Sequence, residues 1–230
     1  MGFEMSHTEV EGRFLAEALG EQARVLEIGC GRRTRLAARR DRISFLVGVD
    51  VDEAAGRGNG ALDRFVVTDA CERLPFDDAS FDLVYANFVV EHLAAPAAAF
   101  REWRRVLRTS GELILVTSNR ASPYVAAAAL LPHGLRVALK RVGPGVVERD
   151  VIPAVYRANT PGRLRALLEQ AGFAPVATVY VATVHRYAGD RVRLSRLLGA
   201  LERPLPPALR STIVARYRAP AGTAEVSPRP

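Results

Sequence analysis

The segment VLEIGCG at 25–31 joins a carboxylate to a glycine turn, a combination that could hold a small charged ligand. Glu27 closes an apolar run that leads directly into the turn at Gly29 and Gly31. Glycines let the backbone approach a ligand closely, although a Gly-x-Gly pattern alone can also be a plain tight turn. A carboxylate here would repel a dinucleotide pyrophosphate but would hold an ammonium group or a polyol. The turn therefore favours a ligand with amino or hydroxyl groups.

Two further acids repeat this arrangement along the chain. Asp50 ends the apolar run ISFLVGVD, 23 residues after Glu27, and Asp69 lies at the end of RFVVTDA. In one βαβ unit this separation brings a carboxylate to a ribose diol. Either aspartate alone could instead cap the following helix. Their shared spacing favours an edge that binds a nucleoside.

Five segments with apolar runs have to position these acids. They lie at 25–31, 43–50, 64–70, 81–88 and 112–117. Helical or loop segments separate them, which is typical of an open parallel sheet with its ligand beyond the carboxyl ends of the strands. Alternating segments at 173–187 and 211–219 predict a sixth and a seventh strand.

Cap and stop signals predict the helices that surround the sheet. Ser6 and Glu9 form a capping box before an amphipathic segment that ends near Gly20, and this helix is expected to cover the ligand end of the sheet. Pro96 begins a second helix, and Thr160 with the proline after it begins a third.

With these motifs the chain resembles the class I S-adenosylmethionine-dependent methyltransferases, in the branch of small enzymes typified by the ubiquinone and menaquinone methyltransferases. The resemblance covers about 20–185 and rests on VLEIGCG, GVDVD, the block at 69–93 and RVLRTSGELILVT at 105–117. It implies an α/β, Rossmann-like class I methyltransferase fold, with a seven-stranded, mostly parallel sheet, an antiparallel last strand and helices on both faces. The implied reaction is methyl transfer from S-adenosyl-L-methionine to a small-molecule acceptor, which leaves S-adenosyl-L-homocysteine. The attack is in line, from an O, N or C atom of a lipidic, quinone-like, saccharide or polyketide acceptor.

The resemblance assigns the methionine part of the cofactor to the first strand and its turn. Glu27, Gly29 and Gly31 would surround it, and Asn87 would line the site after the fourth strand. The third glycine that is usual in the family is Arg33 in this chain, which affects the expected local packing more than the expected cofactor.

The nucleoside part is assigned to the second and third strands. Asp50 would bind the ribose hydroxyls and Val51 would lie against the adenine. Asp69 would accept from the adenine amino group while the backbone of Ala70 contacts the ring edge.

His92, in NFVVEHL, is the candidate catalytic residue, because a hydroxyl acceptor must lose a proton during attack. It could instead bond the backbone or pack beside the cofactor. Some quinone-type relatives carry Glu-x-x-Glu-His here and bind a metal. The first of these glutamates is Phe88 in this chain, so we expect no metal.

The chain length of 230 residues predicts one domain at 1–219. Residues 119–158 follow the fifth strand, where insertions in the family form a lid over the acceptor pocket. A helical hairpin that only extends the core is the alternative, but the many small residues favour a groove. Residues 220–230 are predicted to be a disordered tail.

The net charge of +7 raises the question of a nucleic-acid partner. The arginines are spread over the whole chain without interleaved aromatic residues, and the turn after the fourth strand lacks the Asn/Asp-Pro-Pro-aromatic motif of base methyltransferases, so a small molecule is favoured. An RNA or protein methyltransferase and a non-catalytic binding module stay open. Thr34 stands where a dinucleotide fingerprint needs glycine, which argues against a nicotinamide-dependent oxidoreductase.

The remaining sequence features concern location. No apolar run is long enough for a membrane span. The two cysteines, Cys30 and Cys71, form neither a metal-binding nor a disulfide pattern, and a reducing, cytoplasmic location is therefore expected. The sequence does not predict an oligomeric state.

Overall fold

The computed structural model describes residues 5–130, 153–184 and 192–220, and in them the chain forms a seven-stranded sheet. The strands are β1 (Ala23–Ile28), β2 (Ile43–Asp50), β3 (Arg64–Val67), β4 (Phe81–Asn87), β5 (Leu107–Ser118), β6 (Ala174–Val181) and β7 (Thr212–Arg218). Their order across the sheet is β3-β2-β1-β4-β5-β7-β6. The central strands pair in parallel, while β7 is antiparallel to both β5 and β6. The order of the strands reverses between β1 and β4, which is where ligands bind in open α/β sheets.

The helices in the described part of the chain are α1 (His7–Ala18), α2 (Glu53–Arg57), α3 (Pro96–Val106), α4 (Pro123–Leu130), α5 (Pro161–Gln170) and α6 (Val192–Glu202). The capping box predicted at Ser6 and Glu9 is present in α1. Prolines occupy the first turns of α3 and α5, where a missing N–H costs nothing. None of the described helices combines the length and the apolar character that a bilayer span requires.

Two apolar clusters pack on opposite faces of the sheet. On one face Trp103 and Phe100 of α3 and Leu164 of α5 are buried with residues such as Leu26 of β1. On the other face α1 packs against the residues of β1 and β4 that point the opposite way. Successive residues of a strand point to opposite faces, so both faces of β1 are apolar and covered. These features confirm the predicted fold class, including the antiparallel last strand.

The chain after the glycine turn departs from a regular α-helix. Arg35–Arg42 is a 3₁₀ segment with a non-helical residue, Arg39, inside it. The Arg39 guanidinium donates to the carbonyl oxygen of Gly12 at 2.7 Å, and Arg42 donates to that of Ala16 at 3.3 Å. This segment therefore holds α1 against the sheet by hydrogen bonds. It follows Arg33, which stands at the position of the family's third glycine, where the sequence did not predict the local packing.

Several predicted boundaries shift in the structure. β5 begins at Leu107, earlier than expected, because residues 107–111 already pair with β4 or form backbone hydrogen bonds at the end of β7. β3 ends at Val67, so that Asp69 lies just beyond the strand. Most of the predicted lid, 131–152, and the predicted tail from 221 onward lie outside the described residues.

Candidate functional site

The glycine turn lies between β1 and the end of β2. Gly29 and Gly31 have φ angles of 66° and 49°, a region that favours glycine. The Gly29 N–H donates to the carbonyl oxygen of Val49 at 2.8 Å, and a Cβ at Gly29 would lie 2.4 Å from Cγ2 of Val89. A Cβ at Gly31 would meet nothing within 4 Å. Gly29 is therefore required by packing, whereas Gly31 leaves open space beside the turn.

Asn59 holds this turn in place through its side chain, a role that the sequence did not predict. Its side chain is buried, and its amide nitrogen donates to the carbonyl oxygens of Cys30 and Gly31, both at 3.2 Å. Its amide oxygen accepts from the N–H of Ala61. The only signal in the sequence is an asparagine between two glycines, which usually predicts a turn and nothing more.

Cys30 is part of the packing of this turn. A Cβ at Gly48 of β2 would lie 2.7 Å from the Cys30 sulfur, so the thiol fills the space that the glycine leaves. Burial, with the nearby charges of Glu27 and Asp50, raises the pKa of Cys30 to about 12. The thiol is therefore protonated at neutral pH and suits packing rather than nucleophilic chemistry.

Asp50 ends β2 and holds the turn in place. One carboxylate oxygen accepts from the Gly31 N–H and the other from the Asp52 N–H, both at 2.9 Å. Each oxygen can accept a further hydrogen bond, as a ribose diol would require. The helix-capping role belongs to Asp52, which accepts from the Ala55 N–H, and the neighbouring Val51 is 60% exposed.

Asp69 and Ala70 lie on the loop after β3. The Asp69 carboxylate accepts from the Cys71 N–H at 2.8 Å, a turn bond within the loop, and no helix lies between β3 and β4 for Asp69 to cap. The Ala70 carbonyl oxygen accepts from the indole N–H of Trp103 at 3.3 Å. Trp103 is fully buried in the core and so anchors this loop.

Glu27 lies on β1, one residue before the end of the strand, and is only 4% exposed. Its Oε2 atom is buried without a hydrogen-bond partner. Burial, with smaller contributions from Glu11 and Asp50, raises the pKa of Glu27 to about 8, although a hydrogen bond with Thr34 opposes the shift. A cationic group near this carboxylate would be strongly favoured.

A second buried carboxylate comes from α1. Glu11 is 2% exposed, accepts a hydrogen bond from the Tyr85 hydroxyl and lies 3.7 Å from the guanidinium of Arg35. Tyr85 is the register partner of Glu27 on β4. Burial, together with Glu11, raises the pKa of Tyr85 far above its ordinary value. Neither Glu11 nor Tyr85 was predicted from the sequence to belong to the site, because each lies in a pattern of apolar and polar residues that is ordinary for its helix or strand.

Asn87 and His92 lie at the carboxyl end of β4. Asn87 ends the strand, and its Oδ1 atom is buried without a partner. His92 ends a single 3₁₀ turn, and its Nδ1 atom lies 3.0 Å from the Pro153 carbonyl oxygen. A carbonyl oxygen only accepts, so Nδ1 is the donor, and in the neutral imidazole the lone pair then lies on Nε2. The backbone bond that the sequence left as an alternative is thus present, and it leaves the second nitrogen available as a base.

Glu91, beside His92, is held by two hydroxyl groups of β5. It is 5% exposed and accepts from the hydroxyls of Thr117 at 2.8 Å and Ser118 at 3.0 Å. Within residues 5–130, 153–184 and 192–220, no group of three or more His, Cys, Asp or Glu side chains is arranged to hold a metal ion. The absence of a metal requirement remains a prediction.

Part of the chain is similar in sequence to known proteins. Residues 26–115 match the family model described as a methyltransferase domain. The chain is 33% identical over 127 residues to the malonyl-[acyl-carrier protein] O-methyltransferase of Erwinia pyrifoliae, which covers 53% of this chain and 47% of that protein. It is 32% identical over 142 residues to the demethylmenaquinone methyltransferase of Clavibacter sepedonicus, with 59% and 55% covered. The chain thus spans about half the length of these curated relatives.

A solved methyltransferase structure shares this fold. The geranyl diphosphate C-methyltransferase of Streptomyces coelicolor, solved with S-adenosyl-L-homocysteine, has a TM-score of 0.62 at 14% identity, and covers 92% of this chain and 79% of that one. At such low identity the likeness concerns the fold alone. The matched domain and the shared fold confirm the resemblance drawn from the sequence motifs.

Proposed function

We propose that this chain, which matches a methyltransferase domain over residues 26–115 and shares its fold with solved methyltransferases, transfers the methyl group of S-adenosylmethionine to a small-molecule acceptor. The observation that carries the proposal is the pair of carboxylates, Glu27 and Asp50, on either side of the glycine turn where the strand order reverses. A sulfonium cofactor with an amino group and a ribose diol matches both acids. A pyrophosphate matches neither.

The unpartnered atoms of the site fit this cofactor. Glu27 Oε2 and Asn87 Oδ1 are buried acceptors without donors, and the ammonium group of a methionine can supply donors to both. Gly31 leaves room beside the turn. The residues that would hold the cofactor are Glu27, Gly29, Gly31, Asp50, Val51, Asp69, Ala70 and Asn87.

The bound cofactor supplies an electrophilic methyl group on a sulfonium. The chain has to position the acceptor in line with that group and keep water away. If the acceptor is a hydroxyl, His92 Nε2 would accept its proton, and the sulfonium of the cofactor would supply the methyl group and retain the electron pair of the carbon–sulfur bond. A base in this position contributes about a hundredfold to ten-thousandfold in rate.

For the acceptor, the proposal names only a broad chemical class. Relatives are named for malonyl-[acyl-carrier protein], demethylmenaquinone and a sterol, and these names favour a small or carrier-bound molecule over a nucleic acid. We also keep the predictions that 1–219 is one domain, that 119–158 covers the acceptor, and that the protein acts in the cytoplasm. Both cysteines are free, which agrees with a reducing location.

Cofactor binding is the direct test. Isothermal titration calorimetry should show binding of S-adenosylmethionine and S-adenosylhomocysteine, and Asp50→Ala should weaken both by about tenfold to a hundredfold, because hydrogen bonds to a charged group are lost. The exposed Asp41→Ala variant is the matched control. Asn59→Ala loosens the same turn but keeps the carboxylate, so it should cost less than Asp50→Ala. Unchanged affinity in a folded Asp50→Ala protein, or an equal loss in Asn59→Ala, would remove the ribose-binding role.

Turnover tests His92. Incubation with methyl-labelled cofactor and cell extract identifies the product, after which His92→Ala should lower turnover at least about a hundredfold with the cofactor affinity nearly unchanged. Chelators should have no effect. A decrease of less than about fivefold would leave positioning alone as the source of catalysis and would remove His92 from the mechanism.

A further inference from the structure

Residues 153–159, which we call the strap, lie along the carboxyl ends of β4 and β5. The N–H groups of Val155 and Tyr156 donate to the carbonyl oxygen of Glu91 at 2.8 and 3.0 Å. The Asn159 amide nitrogen donates to the Thr117 hydroxyl at 2.7 Å. The strap is therefore fixed beside His92, where the proposed function requires the acceptor.

Two buried polar atoms near the strap have no hydrogen-bond partner among the residues that the structure describes. Ser122 is 0% exposed and Asn159 is 1% exposed, yet Ser122 Oγ and Asn159 Oδ1 make no hydrogen bond. A buried polar atom without a hydrogen bond destabilises the folded protein. A polar ligand that bonds to both atoms would remove this cost. Ser122 can donate to a ligand oxygen, while Asn159 Oδ1 can only accept from a ligand hydroxyl or N–H.

Arg120 supplies a positive charge at the same place. It follows β5 closely, and its backbone N–H donates to the Asn159 carbonyl oxygen at 2.6 Å. Its guanidinium lies 6.0 Å from the centre of the Tyr156 ring, and no carboxylate of the described residues pairs with it. The other arginine of this region, Arg157, donates to the Ala94 carbonyl oxygen at 2.6 Å.

We propose that the acceptor carries an oxyanion, a carboxylate or a phosphate, that binds the Arg120 guanidinium at the carboxyl end of β5. This inference rests on the proposed function and names the class of its substrate. A guanidinium presents a planar set of donors that matches an oxyanion with paired hydrogen bonds. The Tyr156 ring restricts the guanidinium, Ser122 adds a donor, and Asn159 selects an acceptor that also has a hydroxyl or amine.

The nearby negative charge does not oppose this assignment. Glu91 is the buried acid at this end of the sheet, and its two carboxylate oxygens are occupied by the hydroxyls of Thr117 and Ser118. Arg120 and Arg157 are the arginines at or beside the strap; neither pairs with a carboxylate of the described residues, and Arg157 already donates to the Ala94 carbonyl oxygen. An anion at Arg120 completes an ion pair.

The test uses simple probes on protein saturated with S-adenosylhomocysteine. Calorimetric titrations with benzoate, phenyl phosphate and the neutral benzyl alcohol should show tighter binding of one or both anions. Arg120→Met should lower the anion affinity at least about tenfold, as expected for the loss of a charge-assisted pair. Binding of S-adenosylhomocysteine and of benzyl alcohol should not change. Arg101→Met, which removes an exposed arginine of α3, should behave like the unmodified protein.

The outcomes separate this inference from the proposed function. Tighter binding of benzoate identifies a carboxylate acceptor, and tighter binding of phenyl phosphate identifies a phosphate. If S-adenosylhomocysteine binds but neither anion binds at about 10 mM, or if Arg120→Met binds both anions as before, the oxyanion assignment is wrong while the methyltransferase assignment stands. If S-adenosylhomocysteine does not bind to the unmodified protein, the proposed function fails first.

Discussion

Glu27→Gln should make the protein without cofactor more stable at neutral pH and should weaken cofactor binding. The Glu27 carboxyl is buried on β1, and burial, helped by the charges of Glu11 and Asp50, raises its pKa to about 8. Glutamine has nearly the same shape and is never charged. The substitution therefore removes the free-energy cost of keeping a buried carboxyl protonated at neutral pH, and it also removes the negative charge that Glu27 is proposed to acquire when it holds the ammonium group.

The size of the effect follows from proton linkage. The same carboxyl in the unfolded chain has a pKa of 4.5, so between about pH 4.5 and 8 the folded protein holds a proton that the unfolded chain has lost. Stability therefore falls as pH rises through this window. At about 1.4 kcal/mol per pKa unit, the wild-type protein loses about 3 kcal/mol by pH 7, and the Glu27→Gln variant loses none of it at this position.

Urea unfolding of both proteins at pH 5 and pH 7, without cofactor, measures this difference. All other titrating groups are shared, so the stability gap in favour of Glu27→Gln should widen by about 2 to 3 kcal/mol between the two pH values. Glu21→Gln, at an exposed position, is the control and should show no such change. A gap that stays constant from pH 5 to pH 7 would refute the raised pKa.

Calorimetry at pH 7 provides the functional half of this prediction. Glu27→Gln should weaken S-adenosylmethionine by about tenfold to a hundredfold, since a charge-assisted contact is lost. Binding to the wild-type protein should also release protons, because an ammonium group favours the ionised form of Glu27. Equal affinity and equal proton release in the two proteins would place the ammonium group elsewhere.

Two further predictions concern stability. Gly29→Ala should destabilise the fold by about 1 to 3 kcal/mol in urea unfolding, because the new Cβ would lie 2.4 Å from Val89 in a backbone with φ of 66°. If adding the substitution Val89→Ala to this variant restores none of the lost stability, the clash is not the cause. Arg216→Met should cost about 3 kcal/mol at pH 7, because Glu112 is left buried with only Arg218 beside it. Burial alone would raise the pKa of Glu112, but the hydrogen bonds from the two arginines lower it. The stability that these bonds provide is therefore lost as pH falls below 4.5, and the difference in unfolding free energy between Arg216→Met and wild type should narrow there. Equal differences at pH 7 and pH 3.5 would contradict this linkage.

The features that the sequence predicted correctly all depend on neighbours along the chain. The capping box at Ser6 and Glu9 predicts the start of α1 because the groups that bond are three residues apart. Apolar runs predict the central strands, since strands buried on both faces are continuously apolar. The ends were less accurate: β3 stops at Val67, and β5 starts at Leu107, because pairing with adjacent strands decides where a strand ends.

By itself, the sequence determined the fold class and the placement of Glu27 and Asp50 around a glycine turn, because apolar periodicity, turn chemistry and strand-end acids are local patterns. Only the tertiary structure decided the burial, the contact partners and the pKa values of these residues. Tyr85 contacts Glu11 across 74 positions of sequence, Asn59 bonds to the turn from a distant loop, and the pKa of Glu27 depends on burial and on the charge of Glu11 in α1. Burial and the identity of a distant partner leave no periodic trace in the chain, since they arise only when the elements pack together.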